Sequence, residues 1–412
     1  MSERNSEELS RPLGGSILSG REIFYADQAA RKLADLAPEV KEKLLREFGL
    51  SAFPAVFLLH EVKLALACAD ALFLRVILRS RLFISLHCLG VAALCLSSAY
   101  AGRSPFNLDV LRRDGYGMAK ISPPSGKISG SAVFASQGAN AMHIHGTVNG
   151  RPATLVVDTG WGGRAGVYLD SNFANTLKLT MEGGADVGHS VSGAAMSLQK
   201  AGSGTVVLGN VQLNGVPFYA GKIKGFSVTE TRESAWISGA VSGGFLRAAS
   251  AVLDLPNFRL YLRPPGRGRP VSLGPALKAA GLSEIPFTVG DYGCVVDVEI
   301  NGLTGKMVVD TGAYFSCIDS RFASQFKGGT YATYTGSIDA AGVVSRNHAT
   351  SLQTMRVAGV PVHLPDDVAV DKYSFYSPSG GKVVGLLGMD VLGHNWGIID
   401  FGNEKLYLAE AK

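Results

Sequence analysis

Charge is scarce in this chain: Asp, Glu, Lys and Arg make up 18% of its 412 residues, against about 25% in an average globular chain. The 39 basic and 34 acidic residues leave a net charge of +5 with no basic run or stripe, which argues against a nucleic-acid-binding surface. Cysteine is also sparse. Cys68, Cys88 and Cys95 lie in or before an apolar N-terminal stretch, and only Cys294 and Cys317 follow it. No CxxC pair or metal-type cluster occurs. Cys294 and Cys317 flank one strand hairpin, so a disulfide in an oxidising compartment and two small buried residues are both compatible with them. A phosphate-cradling GxxxxGK[ST] motif is absent, as is a GxSxG nucleophile elbow with matching His and Asp. His143 and His145 share one strand face but lack a third ligand nearby, which reads as a solvated face and not a metal site. No cofactor is expected.

Glycine and apolar residues are what the chain has in excess: 51 glycines, and 46% hydrophobic residues. The glycines follow no collagen period, so the composition favours short strands and tight turns. Residues 1–81 read as a helical or apolar N-terminal segment, either untranslated or a cytoplasmic tail. Residues 82–101, LFISLHCLGVAALCLSSAYA, follow Arg75, Arg79 and Arg81 and end on Ala99-Tyr100-Ala101. A basic flank, an apolar core and a small-x-small end make a signal peptide or a signal anchor. Either way residues 102–412 are expected beyond the membrane: periplasmic or secreted, or anchored at the inner membrane.

The chain then repeats itself. HIHGTVNGRPATLVVDTG, residues 143–160, superposes without a gap on VVDVEINGLTGKMVVDTG, residues 295–312. Leu169-Asp170-Ser171 matches Ile318-Asp319-Ser320, Gly215-Val216-Pro217 matches Gly359-Val360-Pro361, and AVLDLPNFRLYL matches GIIDFGNEKLYL. Two lobes are expected, 121–262 and 271–412, joined by the exposed linker RPPGRGRP. Asn149-Gly150 and Asn301-Gly302 predict hairpins. Ala153–Val157 and Lys306–Val309 predict buried strands. Val206–Leu208, Val211–Leu213 and Val216–Tyr219 predict separate short strands, and helix is confined to pieces such as Ser171–Leu177, Ser320–Phe326 and Met389–Gly393. The fold class is all-β.

Each repeat ends a buried strand on a carboxylate, Asp158 and Asp310, an expensive place for an isolated charge. A pseudo-two-fold axis would bring the two face to face, where they share one proton. The neutral carboxyl then donates to a carbonyl oxygen while the ionised one takes a proton from water held between them. Gly160 and Gly312 allow the two turns to approach closely, and the Thr159 and Thr311 hydroxyls are placed to bond across to the opposite loop.

These paired VVDTG loops, with Gly385-Leu386-Leu387-Gly388-Met389-Asp390-Val391-Leu392 downstream, resemble retropepsin-type aspartic proteases in the bacterial tandem, double-DTG arrangement. The resemblance covers about residues 125–410. It implies two similar acid-protease-like β-barrel lobes related by a pseudo-two-fold, peptide-bond hydrolysis by Asp158 and Asp310, peptide or protein substrates, and a monomer that needs no second chain. It also implies Gly-tipped flaps, at Ser190–Met196 around Gly193 and at Ile338–Val344 around Gly342. The sequence departs from the family after the first DTG, where Trp161 stands against Ala313 in the second, and at Ser242, which occupies the place of Gly388. These departures support an alternative, a catalytically inactive peptide- or partner-binding protein on the same scaffold. The family's pepsin-like members carry a hydroxyl residue after DTG; Trp161 and Ala313 offer none, so the dyad is expected to titrate higher.

Overall fold

The computed structural model describes residues 108–411, apart from 124–133, 136–140, 162–163, 191, 193, 224–236, 265–267, 291–292, 328, 365–367 and 372–382. The expected N-terminal helical segment, the apolar stretch 82–101 and Gly193 lie outside the described residues. Among the described residues no helix is long and apolar enough to cross a membrane.

The first half runs α1 (Asp109–Arg113), β1 (Gly117–Ser122), β2 (Phe134–Ala135), β3 (His143–Val148), β4 (Arg151–Asp158), β5 (Val167–Asp170), α2 (Ser171–Thr176), β6 (Glu182–His189), β7 (Ala195–Leu208), β8 (Val211–Gly221), β9 (Gly239–Ser242), α3 (Gly243–Ala248), β10 (Val252–Asp254) and β11 (Arg259–Leu262). The second half runs α4 (Gly274–Ala279), β12 (Leu282–Pro286), β13 (Thr288–Gly290), β14 (Gly293–Ile300), β15 (Leu303–Val309), β16 (Cys317–Asp319), α5 (Ser320–Ala323), β17 (Tyr331–Ile338), β18 (Val344–Thr350), β19 (Met355–Val357), β20 (Val360–Pro361), β21 (Val368–Asp371), β22 (Val383–Leu387), α6 (Met389–Leu392), β23 (Ile398–Asp400) and β24 (Lys405–Ala409).

Both Asn-Gly pairs make the predicted turns. Asn149 and Gly150 sit at φ 48° and 78°, and Asn301 and Gly302 at 49° and 80°, the positive-φ pair that a type I′ hairpin requires. Their strands pair antiparallel, Val148 opposite Arg151 and Ile300 opposite Leu303. The Asp-Ser steps start helices in both lobes: Asp170 accepts from Asn172 N and Asp319 from Arg321 N, at 2.9 Å each, as N-caps.

In lobe 1 the strands β3, β4, β9, β5, β8 and β7 close on themselves, because the end of β7 (Val206–Leu208) returns to β3. This is a closed barrel. Lobe 2 repeats the order as β14, β15, β22, β16, β21 and β18, but the strand that should return to β14 is interrupted, and the separate piece β19 makes that pairing. Lobe 2 is therefore a half-barrel. The expected separate strands Val211–Leu213 and Val216–Tyr219 are instead one strand, β8, which bends at Gly215 (φ 67°) and stays paired with β7.

The lobes share an antiparallel sheet in the order β1-β11-β10-β23-β24-β12. Leu253 opposes Ile399 at its centre, with Val252 against Asp400 and Asp254 against Ile398, so the pseudo-two-fold passes between β10 and β23. Tyr116, Val252, Tyr261, Ile398 and Tyr407 form a core here with α1 and α4 residues. The expected exposed linker starts with a buried residue: Arg263 is 7% exposed, lies 3.3 Å from Asp114 and places its guanidinium over the Tyr116 ring. Pairing and ring contact make that burial tolerable.

Candidate active site at the lobe interface

The carboxylates owe their position to strand alternation. On β4, Leu155 and Val157 point into the main core. Val156 belongs to a different cluster, with Ala141, Ile223, Ile237 and Ala240. Asp158 shares the face of Val156 because side chains two apart on a strand point the same way. Lobe 2 repeats this: Met307 and Val309 are in the main core, and Val308 lies with Val295, Cys317, Val383 and Leu386. Each carboxylate thus stands beside an apolar cluster on the face away from its barrel core. β4 and β15 are flanked by the parallel strands β9 and β22, which fixes where the Asp-bearing ends emerge.

The two ends are tied reciprocally. Thr159 Oγ1 donates to the Val309 carbonyl at 2.7 Å and accepts from Thr311 N at 2.9 Å. Thr311 Oγ1 donates to the Val157 carbonyl at 2.8 Å and accepts from Thr159 N at 3.2 Å. Both threonines are fully buried, so the four bonds form where no water replaces them. Glycine is required next to them. A Cβ on Gly160 would collide with the Asp310 carboxyl, and one on Gly312 with the Asp158 carboxyl.

Asp158 and Asp310 are 4% and 7% exposed, and their carboxyls hydrogen-bond to each other. Burial first, and the facing Asp310 carboxylate second, push the Asp158 carboxyl well above the usual carboxylate range. Burial also raises Asp310, but the N–H groups of Gly312 and Ala313, at 2.8 and 3.1 Å from its Oδ1, hold it down, as does the bond from Asp158. Asp310 Oδ1 accepts from two backbone N–H groups and Asp158 Oδ1 from one, Trp161 N, so the fixed donors favour the charge on Asp310 and the proton on Asp158. The upward displacement is relative to a free carboxylate and is caused by burial; the expectation of a higher titration than in pepsin-like enzymes is tested by the pH–rate profile.

Trp161 and Ala313 have one function in common: each donates its backbone N–H to the preceding aspartate, Trp161 N to Asp158 Oδ1 at 3.0 Å and Ala313 N to Asp310 Oδ1. The Trp161 indole stacks on Tyr168, ring centroids 4.8 Å apart. Ser242 is no decayed glycine. Its Oγ donates to the Gly166 carbonyl at 3.0 Å and accepts from Phe245 N at 3.1 Å, capping α3. In lobe 2 a hydroxyl does comparable work from the other strand: Ser316 Oγ accepts from Gly388 N at 2.9 Å and donates to Asp390 Oδ1 at 2.6 Å. Sequence reasoning missed Ser316 and Asp390. Comparing the two lobes at Ser242 and Gly388 was the available signal.

Both expected flaps are hairpins. His189 pairs with Ala195, and Ile338 with Val344. Gly342 adopts φ 79° in the second turn. The turns also meet, which no motif signalled: Ser192 Oγ donates to Asp339 Oδ2 at 2.5 Å. Beside it, Ala340 packs against the Val156 cluster together with Trp161. The outer edge of the second flap, β17, pairs with β2. Cys294 and Cys317 are both buried and not bridged, and burial pushes the Cys294 thiol up to about 12. Among the described residues no group of His, Cys, Asp or Glu is arranged to hold a metal. His145, exposed, contacts Thr154 Oγ1 at 3.1 Å. A cavity of about 340 Å³ bounded by Ala165, Gly243, Arg247, Val289 and Cys294 opens between the lobes, but no DTG residue lines it.

The sequence matches the family described as Aspartyl protease over residues 144–235 and again over 296–391. Each match begins on or next to the first strand of a lobe's DTG hairpin and includes its Asp-Thr-Gly. No curated protein matches the chain as a relative.

Proposed function

We propose, from the premise that this chain belongs to the aspartyl protease family in its tandem, two-lobed retropepsin-like form, that it is an endopeptidase acting as a single chain. The reading is carried by one observation, the two buried carboxyls bonded to each other across the pseudo-two-fold. Asp310, held by Gly312 and Ala313 N–H groups, is the ionised member and takes a proton from a water between the pair. Asp158, the neutral member, donates to the scissile carbonyl oxygen. The water oxygen bonds to the carbonyl carbon and gives a neutral tetrahedral diol. The C–N bond then breaks as the nitrogen takes up a proton, releasing an amine and an acid and returning the dyad to one proton. Thr159, Thr311, Gly160 and Gly312 position the pair. The flaps cover an extended peptide and offer it strand-type backbone bonds.

Incubation with a mixed peptide library, read by mass spectrometry, tests this. Internal cleavage that a statine-type inhibitor blocks is expected, at a rate proportional to protein concentration. Absence of cleavage, or cleavage indifferent to the inhibitor, overturns it. Export beyond a membrane rests on residues 82–101 and the Ala99-Tyr100-Ala101 end; N-terminal sequencing of the native protein tests it.

A further inference from the structure

The two apolar clusters beside the dyad occupy equivalent places and differ in size of lining. In lobe 1, Tyr168 on β5 sits opposite Tyr219 on β8 and Ala240 on β9. In lobe 2 the same register places Cys317 opposite Ala369 and Leu386. Trp161 and Ala313 occupy the same step after DTG. The row Trp161–Tyr168–Tyr219 is thus matched by Ala313–Cys317–Ala369. The aromatic row is continuous: ring centroids are 4.8 and 5.3 Å apart at interplanar angles of 25° and 27°, and the Arg164 guanidinium lies over the Tyr219 ring, 5.4 Å from its centroid. Each such ring covers about 150–250 Å² of surface. In lobe 2 those volumes are a methyl, a thiol and a methyl over a base of Val295, Val308, Val383 and Leu386.

We infer that this asymmetry sets side-chain selection in the cleft: the lobe 2 side takes a large apolar residue, aromatic or long aliphatic, and the lobe 1 side takes a small one. The inference rests on the proposed peptidase reading and adds its substrate class. Both clusters lie on the strand face that carries the carboxylates, so a peptide reaching the dyad passes over them. On lobe 1 the indole and two phenol rings already fill the wall, and the flap turn residue Ala340 closes on it. On lobe 2 the half-buried Ala313 and Ala369 lie over buried Val308 and Leu386, and a large side chain set against those two methyls covers the apolar surface they still expose.

Paired peptides that differ only by Phe or Ala on either side of the scissile bond test this by their kcat/KM ratio. The expected profile is one-sided, with Phe favoured over Ala by about tenfold or more on one side and disfavoured on the other. Ala313→Trp should bring the first ratio close to one. Trp161→Ala should relax the second, and Ala369→Tyr gives a second way to fill lobe 2 if Ala313→Trp does not fold. A profile alike on both sides, or ratios that none of these substitutions moves, overturns the inference. Binding of non-cleavable statine peptides carrying Phe or Ala separates it from the parent reading. A one-sided binding preference without any cleavage sustains the selection and removes the hydrolysis. No preference in binding overturns the selection even where cleavage is seen.

Discussion

In lobe 1 the strand β7 runs unbroken from Ala195 to Leu208 and seals the barrel on β3; in lobe 2 the same path is interrupted between Thr350 and Met355. The loop after the first DTG is also longer and leads into an aromatic row, where the second is shorter and carries Tyr314 and Phe315, packed edge to face on each other. Against these differences stand groups that have not diverged at all: the aspartates, the threonines that bond across, and the glycines whose Cβ would strike the opposite carboxyl. The lesson is that symmetry is kept at the atoms that face each other across the axis. One turn further out the requirement is only for an N–H or a hydroxyl at a given point in space. Trp161 and Ala313 both meet it with backbone; Ser242 meets it from the end of β9 and Ser316 from the residue before β16.

The largest expected effects test the symmetric part. Asp158→Asn and Asp310→Asn should each lower kcat by about 10²–10⁴-fold, since neither carboxyl alone both donates and accepts. Their effects on stability should differ. A carboxyl whose folded pKa lies above its unfolded value keeps a proton that the unfolded chain loses, so it costs stability progressively as pH rises above about 4. Both carboxyls are displaced upward by burial, and Asp310 is held back by more backbone N–H bonds than Asp158. Thermal unfolding at neutral pH should therefore show Asp158→Asn gaining more than Asp310→Asn over wild type, with both gains fading toward pH 4. Equal gains would remove the assignment of the proton to the Asp158 side. The same displacement puts both limbs of the wild-type pH–rate profile above the ordinary carboxylate range; an optimum below about pH 3 would contradict it.

Thr159→Val and Thr311→Val come next. Each removes a donor to a carbonyl and an acceptor for an N–H, all buried, so each should cost about 2–5 kcal/mol in urea unfolding. Because the two sets of bonds mirror each other, the costs should agree within about 1 kcal/mol. A clear excess in one lobe would mean that the closed barrel holds its loop without help from its partner.

Part of this was legible in the sequence and part was not, for identifiable reasons. Asn149-Gly150 and Asn301-Gly302 announced their turns because positive φ at two successive residues is a local demand. The ungapped repeat announced the dyad because the axis acts on aligned residues. Asn214-Gly215 has the same chemistry as the real turns, yet β8 continues through it as a bulge; β7 lies alongside and resumes pairing on both sides, which no local pattern encodes. Arg263 looked like part of a linker, and its burial depends on Asp114 and Tyr116 far away in the chain. The flap contact joins Ser192 to Asp339 across the repeat boundary, where neither residue has a motif. Ser242 was read as damage because its partner, the Gly166 carbonyl, lies in the stretch where lobe 1 departs from lobe 2.

Exchanging the residues at that last position sharpens the comparison. A Cβ on Gly388 would lie 2.6 Å from the Phe315 carbonyl carbon and 2.7 Å from Ser316 N, both backbone atoms that move only with their loop. Gly388→Ser should cost about 1–3 kcal/mol and lower activity with it, because that loop carries Ala313. Ser242→Gly creates no overlap. It loses the cap on Phe245 N and the bond to Gly166, about 1 kcal/mol. The unfolding free energies should therefore rank Gly388→Ser below Ser242→Gly. The reverse order would show that the hydroxyls are not interchangeable between strands.

The smallest effect is expected at the flaps, where Ser192 bonds to Asp339 across the repeat boundary. Asp339 Oδ1 already accepts from Val343 N at 2.8 Å within its own turn, leaving Oδ2 for Ser192. Ser192 Oγ likewise lies 3.0 Å from Ser190 Oγ and accepts from Ala194 N at 3.4 Å, so Ser192→Ala and Asp339→Ala each loosen their own turn as well as the contact between the two. Ser192→Ala should change KM about two- to tenfold, the equivalent of one ordinary hydrogen bond, with kcat little altered because the dyad is untouched. Combining the two substitutions should cost less than the sum of the single effects, because both remove the same shared bond. If instead the effects on KM simply add, the two residues act separately and the flaps close independently of one another.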